Sequence, residues 1–587
     1  MKTIFKTYIA ALAMTPLLLP SCSDSFLNEI NPNEQTTGNF WVNEEAADRG
    51  LAAAYNQMRH MTSGYYGGYE GILHLQMRAD DLFPTRGEEA STWETLSFTN
   101  TPNSQNVCWG NLYNGIQLAN EFLYYATNID MDQTKLSQML GEAYFLRGFQ
   151  LFQVRLNYNE GGIRTLPQSA DPTAPGLSSA EDLMKQVISD LKEAKERLPK
   201  DRDTKELGRI TKGAAIAMLG KAYFWAGDYA AAKAEFETIM TSPYTYDLTD
   251  KYEDNFRDDT EFNKESIWEI NYANIGDSGD TWGDGIGSNA FMGNNLSHYF
   301  GPSLKNNTKD KPVEGTCVGG GWYKMQPSPY LVKQFVAEPR PAGADSKWDK
   351  RMYTTCFFKY SDYNDVKADE TFYDGFDVDS IIKWTLKDNK WTNGVGGPAY
   401  PSIEGKQGRF LMKKFASWWS KTGCSMYNNP TGRVNNFRIM RFAEVLFLHA
   451  EACLQTNDVV SAMKDINRIR VRAGLPEKQL SDPTAVMEEL RNQKLLEFAG
   501  ENVRWYDLIR WYPIDEFKSL MLERKKDTQK YKITISPDGS INPIIEPVGE
   551  VTNTQNFANM EKKHFYFPIP QSEVDANHNL DQKADWK

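Results

Sequence analysis

Thr211 to Pro243 reads TKGAAIAMLGKAYFWAGDYAAAKAEFETIMTSP, and its spacing decides the fold. Leu219-Gly220, Tyr223, Gly227, Ala232, Phe236 and Ile239 follow the tetratricopeptide pattern position by position. That pattern specifies two antiparallel helices: small residues let the backbones approach, while Tyr223 and Phe236 fill the space between them. A second copy, weaker at its first helix, runs through Ala450, Cys453, Asn457-Asp458, Ala462, Ile466 and Ile469. LGEAYFLRGFQLF, Leu140 to Phe152, matches the first half of a third. The fold class expected is mainly α, a tetratricopeptide-like helical scaffold.

Outward from these repeats, Trp41 to Arg59 and Asn111 to Thr127 read as helices. Ser178-Ser179-Ala180-Glu181 has the form of a capping box, opening a helix whose Leu183, Val187, Leu191, Ala194 and Leu198 keep a 3.6-residue period until Pro199. Tyr531, Ile533 and Ile535 alternate before Pro537-Asp538-Gly539, which predicts a small hairpin. Between the clearer repeats the composition changes: Gly276 to Gly321 carries eleven of the chain's 42 glycines, among Asp, Asn, Trp and Tyr, and residues 384–410 are similarly irregular. Long connections of this kind are functional or disordered, and the aromatic content argues against disorder. Helical repeats near 140–243 and 437–512 thus flank a large irregular, loop-rich insert at about 265–435.

The N-terminus reads as an address. Lys2 and Lys6 precede an apolar stretch from Tyr8 to Pro20, too short to span a bilayer, which ends in LLPSC at Cys22. That pattern predicts a lipoprotein signal peptide over residues 1–21, an acylated Cys22, and a polar tether over 22–40. Loss of Lys2 and Lys6 with the leader takes the formal charge from −13 to −15. An acidic surface repels phosphate backbones, and no basic run with interleaved aromatics is present, so nucleic acid is an unfavourable partner.

The chemistry-bearing spacings of metallopeptidases, serine hydrolases, P-loops and dinucleotide sites are absent. The six cysteines form no C-x-x-C pair and the six histidines do not cluster, so neither a metal nor another cofactor is expected. A glycosidase needs only two carboxylates, and 78 acidic residues leave that alternative open.

Five blocks, in order, carry a family resemblance. They are FWVNEEAADRGLAAAY (Phe40 to Tyr55), GEAYFLRGFQLFQVRLNYNEGGIRTLP (Gly141 to Pro167), FRIMRFAEVLFLHAEAC with INRIRVRAGLP (Phe437 to Cys453 and Ile466 to Pro476), LLEFAGENVRWYDLIRW (Leu495 to Trp511) and FPIPQSEVDANHNLDQ (Phe567 to Gln582). Together they resemble the SusD/RagB family over nearly the whole mature chain, which would make 41–587 one SusD-like body. The family's Glu-Gly-His/Glu-Arg-Trp stands here as Ala499-Gly500-Glu501-Asn502-Val503-Arg504-Trp505, a two-residue change at a loop in a block that reads as scaffold. The resemblance implies an outer-membrane, surface-exposed nutrient-binding lipoprotein, not an enzyme. Such a protein binds oligosaccharide, or less often peptide as in the RagB type, and sits as a lid over a TonB-dependent, SusC-like barrel.

A sugar-binding face needs flat aromatic surfaces for pyranose C–H faces and polar partners for hydroxyls. Trp93, Trp282 and Trp322 sit in polar or glycine-rich stretches and are the expected platform, with Tyr323, Tyr299, Arg86 and Asp81 at the rim. Trp41, Trp225, Trp505 and Trp511 fall on helical patterns and are expected in the core. Arg147, Arg441 and Arg504 are read as structural, paired with acids such as Glu142, Glu444 or Glu451.

Overall fold

The computed structural model describes residues 40–61, 78–84, 98–100, 104–272, 296, 300, 325–358, 411–416, 435–525, 530–535, 541–546 and 560–586. In chain order these form α1 (Glu44–Gln57), β1 (Leu82–Pro84), α2 (Ser104–Tyr125), α3 (Gln133–Tyr158), α4 (Ala180–Arg197), α5 (Lys212–Ala226) and α6 (Tyr229–Ile239). Then come β2 (Ser266–Ile270), β3 (Met325–Pro327), α7 (Pro329–Phe335), α8 (Lys350–Thr355), β4 (Cys356–Phe357), β5 (Leu411–Met412) and β6 (Phe437–Arg441). The rest are α9 (Phe442–Gln455), α10 (Val459–Arg472), α11 (Pro483–Phe498), α12 (Arg504–Trp511), α13 (Ile514–Lys525), β7 (Lys530–Ile535), β8 (Ile541–Glu546) and α14 (Gln571–Ala576). The strands make four antiparallel two-stranded ribbons, so helices carry the fold.

The tetratricopeptide reading holds in atomic detail. A Cβ on Gly220 would lie 2.7 Å from Cε1 of Phe236, so only glycine lets α6 lay that ring, fully buried, against α5. Tyr223, expected beside Phe236, is instead half-buried, with the Lys192 ammonium 5.7 Å from its ring centroid. Both turns have one architecture. Gly227 and Asn457 take left-handed φ of 83° and 61°, and the next residue, Asp228 or Asp458, caps the second helix through its carboxylate. The backbone repeats too: Asp228 N donates to Tyr223 O at 3.0 Å and Asp458 N to Cys453 O at 2.8 Å. Lys233 of α6 reaches the Asp458 carboxylate at 2.8 Å, joining the two repeats. Within the second, His449 Nδ1 lies 2.5 Å from Asp465 Oδ2, a packed histidine tying α9 to α10.

The half-repeat at Leu140 belongs to α3, whose partner helix α4 follows a long excursion closed by the Gly161–Ser178 bridge. Gly141 and Gly148 face α4, where a Cβ would meet Arg197 and Asp190 side chains at 2.9 and 3.1 Å. The N-cap is displaced by one residue from the expected capping box: Ser179, not Ser178, is the cap, and its Oγ accepts from the Asp182 amide at 3.1 Å. Leu183, Val187, Leu191, Ala194 and Leu198 are all buried. Similarly, α1 starts at Glu44 because Asn43 caps it. Trp41 then lies over Gly50, stacked 5.9 Å from Tyr125, and α2 begins earlier than expected, at Ser104.

The hairpin expected near Tyr531 is present, with Lys530 opposite Glu546 and Ile535 opposite Ile541. Trp505 is fully buried, while Trp41, Trp225 and Trp511 are partly buried against the core. Among the described residues no helix is long and apolar enough to cross a membrane.

The arginines are structural, but their partners differ from those expected. Arg147 forks onto Asp190 of α4 (2.9 and 2.6 Å), and Arg504 onto Asp80 (2.6 and 2.8 Å). Arg441 joins Glu265, Glu497 and Glu501. Glu142 instead holds Arg202 and Arg209, Glu444 holds Lys221, and Glu451 holds Arg510.

Candidate functional site

One short ribbon organises the region to which sequence assigned the ligand. β1 and β3 pair antiparallel, Leu82 opposite Pro327 and Pro84 opposite Met325. The chain therefore leaves β1 and arrives at β3 at the same end of the ribbon. Arg86 follows Pro84 by two residues, and Tyr323 and Trp322 precede Met325 by two and three. Trp93, Trp282, Trp322, Tyr323, Tyr299, Arg86 and Cys22 themselves lie outside the described residues.

Asp81 is described, and its placement corrects the expectation of a rim residue. It is fully buried; its Oδ2 accepts from the Gly500 amide at 2.9 Å, and its carbonyl accepts from Ser328 N at 2.9 Å. Ser328 also donates its hydroxyl to Asp80 O at 2.6 Å and caps α7, so this acidic pair clamps the ribbon's base. Gly500 has φ +76°, and a Cβ there would meet Phe415, Met412 and Leu82 at 3.1 to 3.6 Å. Within the loop that departs from the family pattern, Gly500 is thus a glycine that the clamp requires.

Burial, with Asp80 alongside, raises the Asp81 carboxyl to about 6 against the opposing Gly500 hydrogen bond. Its unfolded value is near 3.8. A folded acid that keeps its proton to higher pH loses stability as pH rises through that window. We therefore expect Asp81→Asn, which keeps an oxygen for Gly500 N, to gain on the parent by up to about 3 kcal/mol between about pH 3.5 and pH 7. Paired thermal melts measure this, and a difference independent of pH would contradict it.

Beside the clamp lies a small crevice of about 40 Å³ lined by Phe256, Leu296, Phe415, Lys414, Arg438, Asn435, Asn436 and Glu501, among others. Phe415 is its aromatic pivot, 5.2 Å from Phe300 and 6.0 Å from Phe256 between ring centroids. Spacing did not mark these residues, because they come from five separate stretches of chain. The nearest cue is the basic-aromatic run Lys413-Lys414-Phe415.

Under the cavity runs a buried ionic floor. Lys414 Nζ sits 2.5 Å from Glu501 and donates to the Glu497 and Ala499 carbonyls at 3.1 and 3.0 Å. Burial brings its ammonium down to about 8, with Glu501 opposing. Glu497 binds Arg441 at 3.0 Å, Arg472 at 2.5 Å and Arg351 at 3.3 Å. Burial alone would raise that carboxyl, but the three arginines hold it well below the usual range. Glu501, the one described carboxylate lining the cavity, is engaged by Lys414 and Arg441.

The model of the SusD family matches residues 264–586, more than half of the chain, and a second, "Starch-binding associating with outer membrane", matches residues 25–224. The chain belongs to the SusD family. It is 23% identical to a SusD-like protein of Bacteroides ovatus, covering 99% of this chain and 98% of the relative. The fold is also that of a SusD superfamily protein from Bacteroides vulgatus (24% identity, TM-score 0.69, 93% of this chain and 100% of that one). Surface glycan-binding protein A from Bacteroides thetaiotaomicron, solved in complex with laminarihexaose, aligns with TM-score 0.66 at 20% identity, over 92% and 99% of the two chains.

Proposed function

We propose that this protein captures oligo- or polysaccharide at the cell surface and delivers it to a TonB-dependent, SusC-like outer-membrane transporter. The observation that carries the reading is the β1–β3 ribbon. Pairing Pro84 with Met325 puts the point where the segment holding Arg86 and Trp93 starts beside the point where the one holding Trp322 and Tyr323 ends, which supports an aromatic platform for sugar rings drawn from both. Trp282 and Tyr299 belong to the same loop-rich stretch and complete the proposed face. Family membership and the laminarihexaose complex of a structural neighbour support the glycan assignment. Glu501 is held in two ion pairs, which suits a lining residue better than a hydrolytic acid, so binding without catalysis is the reading taken. The protein would hold its place at the outer membrane through lipid on Cys22.

Trp322→Ala tests the platform. Aromatic stacking contacts on nucleic-acid bases are worth about 1–3 kcal/mol, and that scale carried to sugars predicts a roughly five- to 150-fold loss of affinity. Affinity gels against a polysaccharide panel and calorimetry read the loss, while an unchanged melting temperature separates it from unfolding. Unchanged affinity for a verified glycan would remove Trp322 from the site. Release of reducing sugar by the parent would favour hydrolysis, and selective retention of oligopeptides would favour peptide capture.

A further inference from the structure

A second cleft lies on the helical scaffold and shares no lining residue with the cavity beside Phe415. It is an open cleft of about 300 Å³ between the α4–α5 connection, the segment after α6, and the approach to β2. Tyr244 and Tyr246 line it with their rings 6.2 Å apart between centroids and within 11° of parallel, both half-buried. Tyr246 is fixed from behind, since a Cβ on Gly213 would lie 2.4 Å from its hydroxyl. Trp268, wedged edge-on between Phe145 and Phe149, makes part of the wall. One lip is the strap at 207–209, held where Asn271 Nδ2 donates to Leu207 O at 2.8 Å.

The charges of this cleft are already spoken for. Lys200 pairs with Asp201 at 3.1 Å, Arg202 with Glu142 at 2.8 Å, and Lys264 with Asp250 at 3.0 Å. Arg209 pairs with both Glu142 and Glu206. An anionic ligand would compete with these acids for the same cations. A neutral ring with a flat C–H face and several hydroxyls would leave the pairs in place: it can lie against a tyrosine face of this stacked pair while its hydroxyls meet polar groups at the lip.

The geometry points to a second saccharide subsite at Tyr244 and Tyr246, which takes neutral sugar rings and lets one long glycan engage the protein at two places. This rests on the glycan-binding reading above. Two-point engagement raises affinity for a polymer without changing that for a short fragment confined to one site.

The test uses the full chain with laminarin, xylan, galactan, mannan and pullulan as neutral probes, and alginate and polygalacturonate as anionic ones. With whichever neutral polymer retards the protein, hydrogen–deuterium exchange of the unmutated chain should show protection over 200–211 and 243–246. Tyr244→Ala should weaken retention on that polymer three- to tenfold and leave affinity for its tetrasaccharide unchanged. In Trp322→Ala, protection over 243–246 should persist. Protection confined to the loop-side segments, or polymer affinity of Tyr244→Ala within twofold of the parent, overturns the second subsite alone. Preference for the anionic probes overturns its neutral-sugar assignment. Failure of the parent to bind any of the seven overturns both readings. The exchange experiment needs no variant, so it holds even if Tyr244→Ala folds poorly.

Discussion

Glu497→Gln should cost this protein about 3–5 kcal/mol of folding stability, the penalty of leaving buried charge uncompensated. The carboxylate is fully buried and meets three guanidinium groups, those of Arg351, Arg441 and Arg472. Glutamine keeps the shape and one acceptor oxygen but removes the charge on which all three converge. Asp349 still holds Arg351, and Glu265 and Glu501 still hold the other two, so the deficit is one net charge in the interior. Chemical denaturation at neutral pH measures it. The linkage has a definite sign: a carboxyl held below its ordinary value contributes stability above about pH 4.5, lost on acidification. The gap between parent and variant should therefore narrow in acid. A cost below about 1 kcal/mol would mean that the remaining acids neutralise the floor by themselves.

Cys22→Ala should move the protein almost entirely from the membrane fraction to the soluble one. Multiple acyl chains give stable anchoring where a single chain gives only marginal binding, so removing the acceptor thiol removes the attachment in one step. The fold should survive, because the substitution is one small side chain for another and the first described helix is capped by its own Asn43. Fractionation of the native host with the helical circular-dichroism signal as control reads both. Stable retention of the variant would refute the anchor. Detergent pull-down with the unmutated protein should bring a large β-barrel protein with it, and recovery of the chain alone, under conditions that preserve other membrane complexes, would count against the transporter partnership.

The helical repeats were legible because their information is local. Gly220, Gly227 and Phe236 stand within one helical pair, and their spacing encodes a contact a few residues away. The ionic partners were not legible, for the opposite reason. Glu142 and Arg147 are five apart on α3, which turns them toward different sides, so Arg147 finds Asp190 on α4 and Glu142 finds Arg202 and Arg209. Asp81, expected at the rim, misled in the same way, and Arg78 and Asp80 share its burial. A run of charge reads as solvated surface, yet all three are buried. Arg78 lies over Trp505 and Phe567, Asp80 takes Arg504 and Arg524, and Asp81 takes the Gly500 amide. Of the residues proposed to bind glycan, sequence could mark the aromatic-bearing segments. That two of them leave one ribbon needed a pairing across more than 200 positions.

The clamp at Asp80 and Asp81 also bears on the order in which this protein can come into being. Its ties reach residues 419, 424 and 444 positions further along the chain. A polypeptide made or exported from its N-terminus first presents two acids with no counterpart until nearly all of it has emerged. Closing so distant a loop is slow, and apolar surface stays uncovered meanwhile. The base of the proposed binding face is therefore among the last parts to set, and a nascent or truncated chain that ends before Gly500 carries the aromatic residues without the clamp beneath them.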